Sequence, residues 1–204
     1  MTDDVEPKRS TCRRPHMRSD AVANQERLLA AAVTAMLREG RQVPMASIAR
    51  DAGVGIGTLY RNYPTRDALL DALTERSFGL VLNVVESAAL AEGPAISALE
   101  EFFTSSIAHR DQLVLPLHGG PVNLTEKSLR IQDQIHTGID RILERGHRDR
   151  TVRADVTAGD VVFFGAMLAQ TLSPDDDWLD ANLSRQEQIF LAGLAPSPPG
   201  LKAS

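Results

Sequence analysis

The sequence predicts an all-α protein in which a three-helix N-terminal head is joined to a larger helical body, with about nine helices in total. Apolar residues recur at helical spacing along most of the chain, which is the main signal of amphipathic helices. Aromatic residues make up only 4% of the 204 residues, and β-branched runs of strand length are scarce. A hydrophobic content of 43% still allows a substantial core, built mainly from Leu, Val, Ile and Ala.

Residues 20–66 are predicted to form the head. A first helix with one apolar stripe runs from about Asp20 to Glu39, and two short helices follow within residues 45–62. Gly53 lies where the apolar face of the second helix ends, a position that favours a left-handed helix cap. A helix, a tight turn with glycine and a second short helix form the helix-turn-helix arrangement, whose second helix enters the major groove of DNA.

Residues 67–195 are predicted to form the body. Thr65 can cap its first helix, and Ser184 and Glu187 have the spacing of a capping box for its last helix. An acidic loop is predicted at residues 173–182. The six predicted body helices lie at about 66–91, 95–109, 111–117, 122–148 and 157–172, and from 184 onward. The remaining segments, 1–19 and 196–204, are predicted to be a disordered basic arm and a disordered tail.

The distribution of charge distinguishes the head from the body. Residues 1–66 carry 11 Lys or Arg against 7 Asp or Glu, a net charge of +4. Residues 67–204 carry 11 against 20, a net charge of −9, so the whole chain has a net charge of −5. A basic head on an acidic body is compatible with nucleic-acid binding by the head, although random scatter of charge explains it as well.

Several function classes lack the motifs that they would need. Cys12 is the single cysteine, so an intramolecular disulfide is excluded. The chain has no HExxH motif, no cysteine pair, no EF-hand spacing and no nucleophile elbow, so we expect neither an enzyme nor a metal or cofactor site. No apolar run reaches membrane-spanning length and no signal peptide is evident, so we expect a cytoplasmic protein without a membrane partner.

The segment 27–70 resembles the DNA-binding head of TetR/AcrR-type helix-turn-helix transcriptional regulators. The match is R-x-L-x-A-A from Arg27, then Ile48-Ala49, Ala52-Gly53-Val54 and Gly57-Thr58-Leu59-Tyr60, followed by Tyr63 and Arg66. It covers about a quarter of the chain and is specific because so many features keep fixed spacing. The resemblance implies a homodimeric repressor that a small-molecule effector releases from a palindromic operator in double-stranded DNA.

The predicted DNA contacts lie on and around the second short helix. Ile56 and Thr58 carry methyl groups that can touch thymine, and Thr58 can also donate to a base edge. Arg66, at the start of the next helix, is predicted to clamp a phosphate. The full predicted set is Ser47, Ile56, Gly57, Thr58, Tyr60, Arg61, Asn62, Tyr63 and Arg66. Pro44 and Gly55 depart from the family pattern, which often has polar caps at these two positions.

In the body, the sequence suggests a ligand pocket and a dimer interface. The pocket candidates are large apolar residues, with one histidine at the mouth: Phe78, Leu82, Phe102, Phe103, Ile107, His118, Phe163 and Met167. The interface candidates combine small residues with large apolar ones: Phe164, Gly165, Leu168, Ala169, Phe190 and Leu194. Ordinary packing inside one subunit remains an alternative for both sets.

A helical protein-binding adaptor without DNA activity is the alternative function. It would explain the apolar faces of the last two helices. It would not explain a short helix that begins Gly55-Ile56-Gly57 directly after a glycine turn.

Overall fold

The computed structural model of the protein describes residues 15–115, 124–169 and 177–196. This part of the chain contains eight α-helices, one 3₁₀ turn at Arg110–Gln112 and no strand, which confirms the predicted all-α class. The helices are α1 Pro15–Glu39, α2 Met45–Asp51, α3 Ile56–Asn62, α4 Arg66–Leu90, α5 Ala95–Ala108, α6 Glu126–Arg148, α7 Ala158–Leu168 and α8 Asp177–Leu194. None of these helices is long and apolar enough to cross a membrane.

Three helix starts differ from the prediction, and that of α6 lies at Glu126 instead of about residue 122. Helix α1 begins at Pro15, so residues 15–19 belong to it and not to a disordered arm. A proline is well suited to the first turn of a helix, because its fixed φ is helical and an N–H would have no partner there. Helix α8 begins at Asp177, so residues 177–182 of the predicted acidic loop are helical. Residues 1–14 and 197–204 lie outside the described residues.

The predicted capping box of the last helix is wrong. Ser184 lies inside α8 and cannot cap it. Glu187 is instead buried and accepts a hydrogen bond of 2.9 Å from Oγ1 of Thr104 on α5. Burial raises the pKa of the Glu187 carboxyl. A Ser and a Glu three residues apart also occur on the inner turns of helices, so this spacing alone cannot locate a helix start.

The predicted short helix at residues 111–117 is reduced to the 3₁₀ turn within the described residues. After Gln112 the chain becomes extended, with Leu113 at φ −102° and ψ 128°. Residues 116–123, which include the predicted Gly- and Pro-rich break, lie outside the described residues.

Helix α4 contributes to two separate hydrophobic cores. Its first turns supply Leu69, Leu70 and Leu73 to the core of the head, together with residues of α1, α2 and α3. Farther along, it supplies Phe78 and Val85 to the core of the body. The packing of the head therefore continues past residue 66, and no flexible linker separates it from the body.

The extended segment Leu113–Leu115 lies across the boundary between the cores. Val114 is buried in the head core, whereas Leu113 and Leu115 are buried in the body core. Successive side chains of an extended chain point to opposite sides, so three consecutive residues can serve both cores. We call Leu113–Leu115 the junction segment.

Two fully buried hydroxyl groups of α4 hold the junction segment. The Val114 N–H donates to Oγ of Ser77 at 2.8 Å, and Oγ1 of Thr74 donates to the Val114 carbonyl at 3.3 Å. Ser77 Oγ also donates to the Leu73 carbonyl at 2.8 Å. Both polar groups of the Val114 backbone are thus satisfied in a site that excludes water.

Arg76 adds a second connection at the same place. Its Nε donates to the Glu26 carboxylate of α1 at 3.1 Å, and its Nη1 donates to the Gln112 carbonyl at 3.4 Å. The side chain therefore joins α4 to the head helix α1 and to the turn that leads into the junction segment.

We expect Ser77→Ala to lower the free energy of unfolding by about 1–3 kcal/mol, because it leaves the buried Val114 N–H without an acceptor. Ser87→Ala is the matched control, since Ser87 is an exposed serine of the same helix and its loss should change stability by less than about 0.5 kcal/mol. Urea denaturation of the three proteins measures both values. Equal stability of the two variants would contradict a role for Ser77 in holding the segment.

Candidate DNA interface and ligand cavity

The turn between α2 and α3 has the geometry that the sequence predicts. Gly53 adopts φ +66°, a left-handed conformation that side chains disfavour. The Gly53 N–H donates to the Arg50 carbonyl at 3.0 Å, and the Val54 N–H donates to the Ala49 carbonyl at 2.9 Å. This pair of bonds is a Schellman motif, which ends α2 and redirects the chain into α3.

Helix α3 presents one face to the head core and another to solvent. Leu59 is fully buried in the head core. Ile56 and Tyr60 are 42% and 48% exposed, and Gly57 and Arg61 are exposed beside them. These four residues form an outward stripe at spacing i, i+1, i+4 and i+5. A short helix with this exposed stripe at the edge of a small basic domain can enter the major groove of DNA.

Three other predicted contacts lie near this stripe. Ser47 and Thr58 are half-buried, and Asn62 is exposed. The Asn62 side chain donates from Nδ2 to the Thr58 carbonyl at 2.8 Å, so one amide proton is used inside α3. Its carbonyl oxygen and second proton are left for other partners.

Tyr63 lies inside the head and not on its DNA-facing surface. Its side chain is 5% exposed and belongs to the head core, and its hydroxyl accepts a hydrogen bond from Nε2 of Gln25 at 3.2 Å. Burial raises the pKa of this phenol. The sequence shows an aromatic residue after the recognition helix but does not show that α1 and α4 enclose it.

Arg66 braces the loop between α1 and α2. Its guanidinium donates to the Arg41 carbonyl at 2.7 Å and to the Val43 carbonyl at 2.6 Å. These are contacts over more than twenty residues of sequence, which residue spacing cannot reveal. Arg66 therefore helps to hold the head together, and these two bonds use two of its five N–H groups.

The other basic side chains of the head differ in how far they are neutralised. Arg38 of α1 donates to the Asp51 carboxylate of α2 at 2.9 Å, and this hydrogen bond holds the pKa of Asp51 below its usual value. Arg50 lies 3.5 Å from the same carboxylate. Arg61 is exposed and has no ion-pair partner among the residues that the structure describes. It is thus the basic group of α3 that is available to DNA.

The body contains a cavity of about 290 Å³ between α4, α5, α6 and α7. Three of the predicted pocket residues, Phe78, Phe102 and Phe163, line it. The residues that line it but were not predicted come from five elements: Val81, Ser106, Leu113, Leu115, Gln132, Ile135, His136, Gly159, Val162, Gly165, Ala166 and Ala169. The cavity therefore reaches the junction segment through Leu113 and Leu115.

The other predicted pocket residues lie elsewhere. Phe103 is fully buried in the body core, with its ring centroid 5.5 Å from that of Phe164. Ile107 packs against the edge of this core, and Leu82 lines a surface groove beside α1. Met167 is exposed on α7, and His118 lies outside the described residues. Helical spacing identifies an apolar face but does not show which part of it leaves a void.

The sequence does contain one signal for the cavity that the prediction missed. Gln132 and His136 each follow a residue of the apolar stripe of α6, which includes Ile131 and Ile135. They are four residues apart and share one face of the helix beside that stripe. Polar residues also flank the apolar stripe of ordinary amphipathic helices, so the pattern is a signal only together with the cavity beside it.

Four of the predicted dimer-interface residues are internal. Leu168, Ala169 and Leu194 are buried in the core of their own chain. A Cβ at Gly165 would lie 2.8 Å from a ring carbon of Phe102, so this glycine allows α7 to approach α5 and not a second subunit. Small residues permit close packing of helices, but they do not show whether the neighbour belongs to the same chain.

The remaining two predicted interface residues are half-buried. The rings of Phe164 on α7 and Phe190 on α8 stack with centroids 3.9 Å apart and an interplanar angle of 8°. Three large apolar side chains on these two helices stay exposed in the single chain, namely Phe163, Met167 and Ile189.

Together, a three-helix head with a helix-turn-helix and a helical body with a cavity define a DNA-binding transcriptional regulator. A family profile described as bacterial regulatory proteins of the tetR family matches residues 28–73. The HTH-type transcriptional regulator NfxB of Pseudomonas aeruginosa is 24% identical over 140 residues, which cover 67% of this chain and 74% of that protein.

Solved structures agree with this class. The TetR transcription regulatory protein of Mycobacterium vanbaalenii is 28% identical with a TM-score of 0.62, and the match covers 88% of this chain and 99% of that one. The transcriptional regulator FadR of Bacillus subtilis, solved in complex with stearoyl-CoA, has a similar fold at 18% identity. Its TM-score is 0.63, with 87% of this chain and all of that chain covered (100%). Residues 28–73 therefore match a tetR-family helix-turn-helix head, and the fold of the described residues is similar to that of TetR-type transcriptional regulators.

Arg61 and Arg66 make a matched pair for separating DNA contact from head stability. We expect Arg61→Ala to weaken DNA binding by about 1–3 kcal/mol while changing the free energy of unfolding by less than about 0.5 kcal/mol. Arg66→Ala should lower the free energy of unfolding by about 1–3 kcal/mol, because two carbonyl groups lose a charged donor. Fluorescence anisotropy on DNA selected with the unmodified protein and urea denaturation measure the two effects. The assignment fails if Arg66→Ala leaves stability unchanged.

Proposed function

We propose that this chain is a repressor that binds a palindromic operator as a homodimer and is released by a small molecule bound in the body. The observation that carries this proposal is the shared helix α4. Its first turns complete the core of the DNA-binding head, and Phe78 farther along lines the cavity. A DNA-binding regulator of this kind acts in the cytoplasm, where bacterial DNA is accessible.

Helix α3 is the proposed recognition helix. Ile56 and Thr58 offer methyl groups to thymine, and Arg61 can donate to a guanine edge or to a phosphate. Tyr60 and Asn62 are placed to contact phosphates, as is Ser47 of α2, which sets register without specifying sequence. With few donors on α3, part of the specificity would come from the shape and deformability of the operator.

The junction segment is the proposed path from ligand to head. A molecule in the cavity touches Leu113 and Leu115, and between them Val114 is packed in the head core. Since protein interiors are close-packed, displacement of the two leucines must move Val114 or the helix that holds it. A shift from 1% to 99% released requires a differential affinity of about 5.5 kcal/mol.

Dimerisation would bring two recognition helices onto one operator. A single short helix contacts few base pairs, and two-fold symmetry doubles the contacts at half-sites about one helical turn apart. The exposed apolar side chains Phe163, Met167 and Ile189 offer surface for a second copy, with the half-buried Phe164 and Phe190 behind them.

The described residues that line the cavity do not include the basic side chains expected for binding the phosphates of a long-chain acyl-CoA. FadR of Bacillus subtilis was solved with stearoyl-CoA, a ligand that carries several phosphates. None of the described residues that line the cavity here is Lys or Arg, the side chains that usually bind phosphate. We therefore do not transfer that ligand to this chain.

Selection of bound sequences from random duplex DNA tests the DNA-binding function. We expect enrichment of a palindrome, and an affinity that falls linearly with salt on a logarithmic scale because Arg and Lys contacts displace counterions. The full-length protein without any added ligand is the sample. Absence of salt-sensitive binding to every duplex tested would reject the regulator and favour the helical adaptor.

The double substitution Met167→Glu with Ile189→Glu tests the dimer. We expect sedimentation as a monomer and a loss of affinity of about 100-fold or more for an operator with two half-sites. In the dimer, binding of one head holds the second head close to its half-site, and a monomer lacks this advantage. Leu90→Glu with Leu129→Glu is the matched control, since it places the same two charges at exposed leucines of α4 and α6. A double variant that sediments as a dimer would show that the subunits meet elsewhere.

A further inference from the structure

We infer that the cavity accepts a compact, uncharged, mainly apolar molecule whose single hydrogen-bonding group is recognised by Gln132 and His136. This inference rests on the proposed function, because it specifies the chemistry of the ligand that would occupy the same cavity. It is carried by the composition of the wall, the placement of two polar side chains and the size of the space.

The wall is apolar over most of its extent. Phe78, Phe102 and Phe163 supply aromatic surface, and Ile135 and Val162 supply aliphatic surface. Phe163 lines the cavity and is still 59% exposed, which places it at the mouth. Aromatic walls favour flat or slim apolar groups, since rings gain from stacked or edge-to-face contact.

The described residues of the wall carry no carboxylate, ammonium or guanidinium group. Apart from the imidazole of His136, a charged ligand would therefore find no ionic partner among them, and the loss of its hydration costs far more than that of a neutral polar group. This argument separates an amide, alcohol, phenol or ketone from a carboxylate or phosphate of the same shape.

Gln132 and His136 form the polar part of the wall. They lie four residues apart on α6, both are half-buried, and neither has a side-chain hydrogen bond or ion pair within the described residues. An imidazole and an amide together offer both donors and acceptors. Two adjacent polar side chains without partners on an otherwise apolar wall are the arrangement that fixes the orientation of a ligand.

Ser106 can add an acceptor. Its Oγ donates to the Phe102 carbonyl at 2.7 Å, so its proton is used inside α5 while its lone pairs remain. It lines the same cavity as Gln132 and His136. A ligand group that both donates and accepts, such as a primary amide or a hydroxyl, would suit all three side chains.

The size of the space sets the upper limit. The cavity of about 290 Å³ lies just below the range of about 300–1,000 Å³ that is usual for drug-sized ligands. A bicyclic ring or a chain of similar bulk fits wholly inside this space, whereas a nucleotide-containing thioester would have to extend out through the mouth.

Three matched probes test the inference by isothermal titration of the full-length protein. They are 2-naphthamide, the isosteric anion 2-naphthoate and 2-methylnaphthalene, with octanamide and octanoate as a second scaffold. We expect the amide to bind at least about tenfold more tightly than the carboxylate, because the carboxylate is desolvated without a partner. The amide should also bind more tightly than the methyl compound, because the methyl compound leaves Gln132 and His136 without a hydrogen-bond partner.

Variants of Gln132 and His136 test whether these two side chains cause the preference for the amide. Gln132→Leu and His136→Phe should remove most of the preference for 2-naphthamide over 2-methylnaphthalene while the methyl compound still binds. Gln134→Leu is the matched control, because Gln134 is an exposed glutamine of the same helix. Gln132→Lys should reverse the order of amide and carboxylate by supplying the missing charge.

The outcomes separate this inference from the proposed function. A carboxylate that binds as tightly as the amide would overturn the uncharged class and leave the cavity as a ligand site. No binding of any probe, in protein that still binds its selected operator, would overturn the inference and leave DNA binding intact. Binding of the amide to protein that binds no DNA would support the inference while rejecting the regulator.

Discussion

The attachment of Val114 to α4 is the contact on which the rest of the arrangement depends. Both polar groups of its backbone are bonded to hydroxyls that are fully buried, and its side chain fills a place in the head core. Its neighbours Leu113 and Leu115 complete the body core and the wall of the cavity. Because protein interiors are close-packed with few voids, a rearrangement of the head or of the body must also disturb this contact. The helix-turn-helix and the cavity are therefore parts of one mechanical unit.

The features that could be predicted are those that local sequence determines. The Gly53 turn and the Thr65 cap depend on residues only a few positions away. Capping geometry and helical spacing act over one or two turns, so a single sequence contains the necessary information. The same locality explains why the eight helices of the described residues were predicted but the starts of α1, α6 and α8 were misplaced, since a helix end depends more on its surroundings.

The features that could not be predicted depend on partners distant in sequence. Tyr63 and Arg66 look like phosphate contacts until α1 and the loop at residues 41–43 are placed beside them. Gly165 looks like part of a subunit interface until the Phe102 ring is placed against it. Residue type gives the capacity of a side chain to bond or pack. Only the tertiary fold shows whether that capacity is already used inside the chain, and therefore what remains for DNA, ligand or a second subunit.

The contacts that hold Val114 set the free energy that a ligand in the cavity would have to overcome in the proposed switch. Losing the hydrogen bond between Ser77 and Val114 would cost a net of about 0.5–1.5 kcal/mol, and removing the Val114 side chain from the head core would cost about 1.5–3 kcal/mol more. The Thr74 bond would be lost at the same time. A ligand must prefer the displaced arrangement by more than this cost, since only its differential affinity for the two states can shift their populations. A ligand small enough for the cavity would act by moving Leu113 and Leu115 together, because only then does Val114 leave its site.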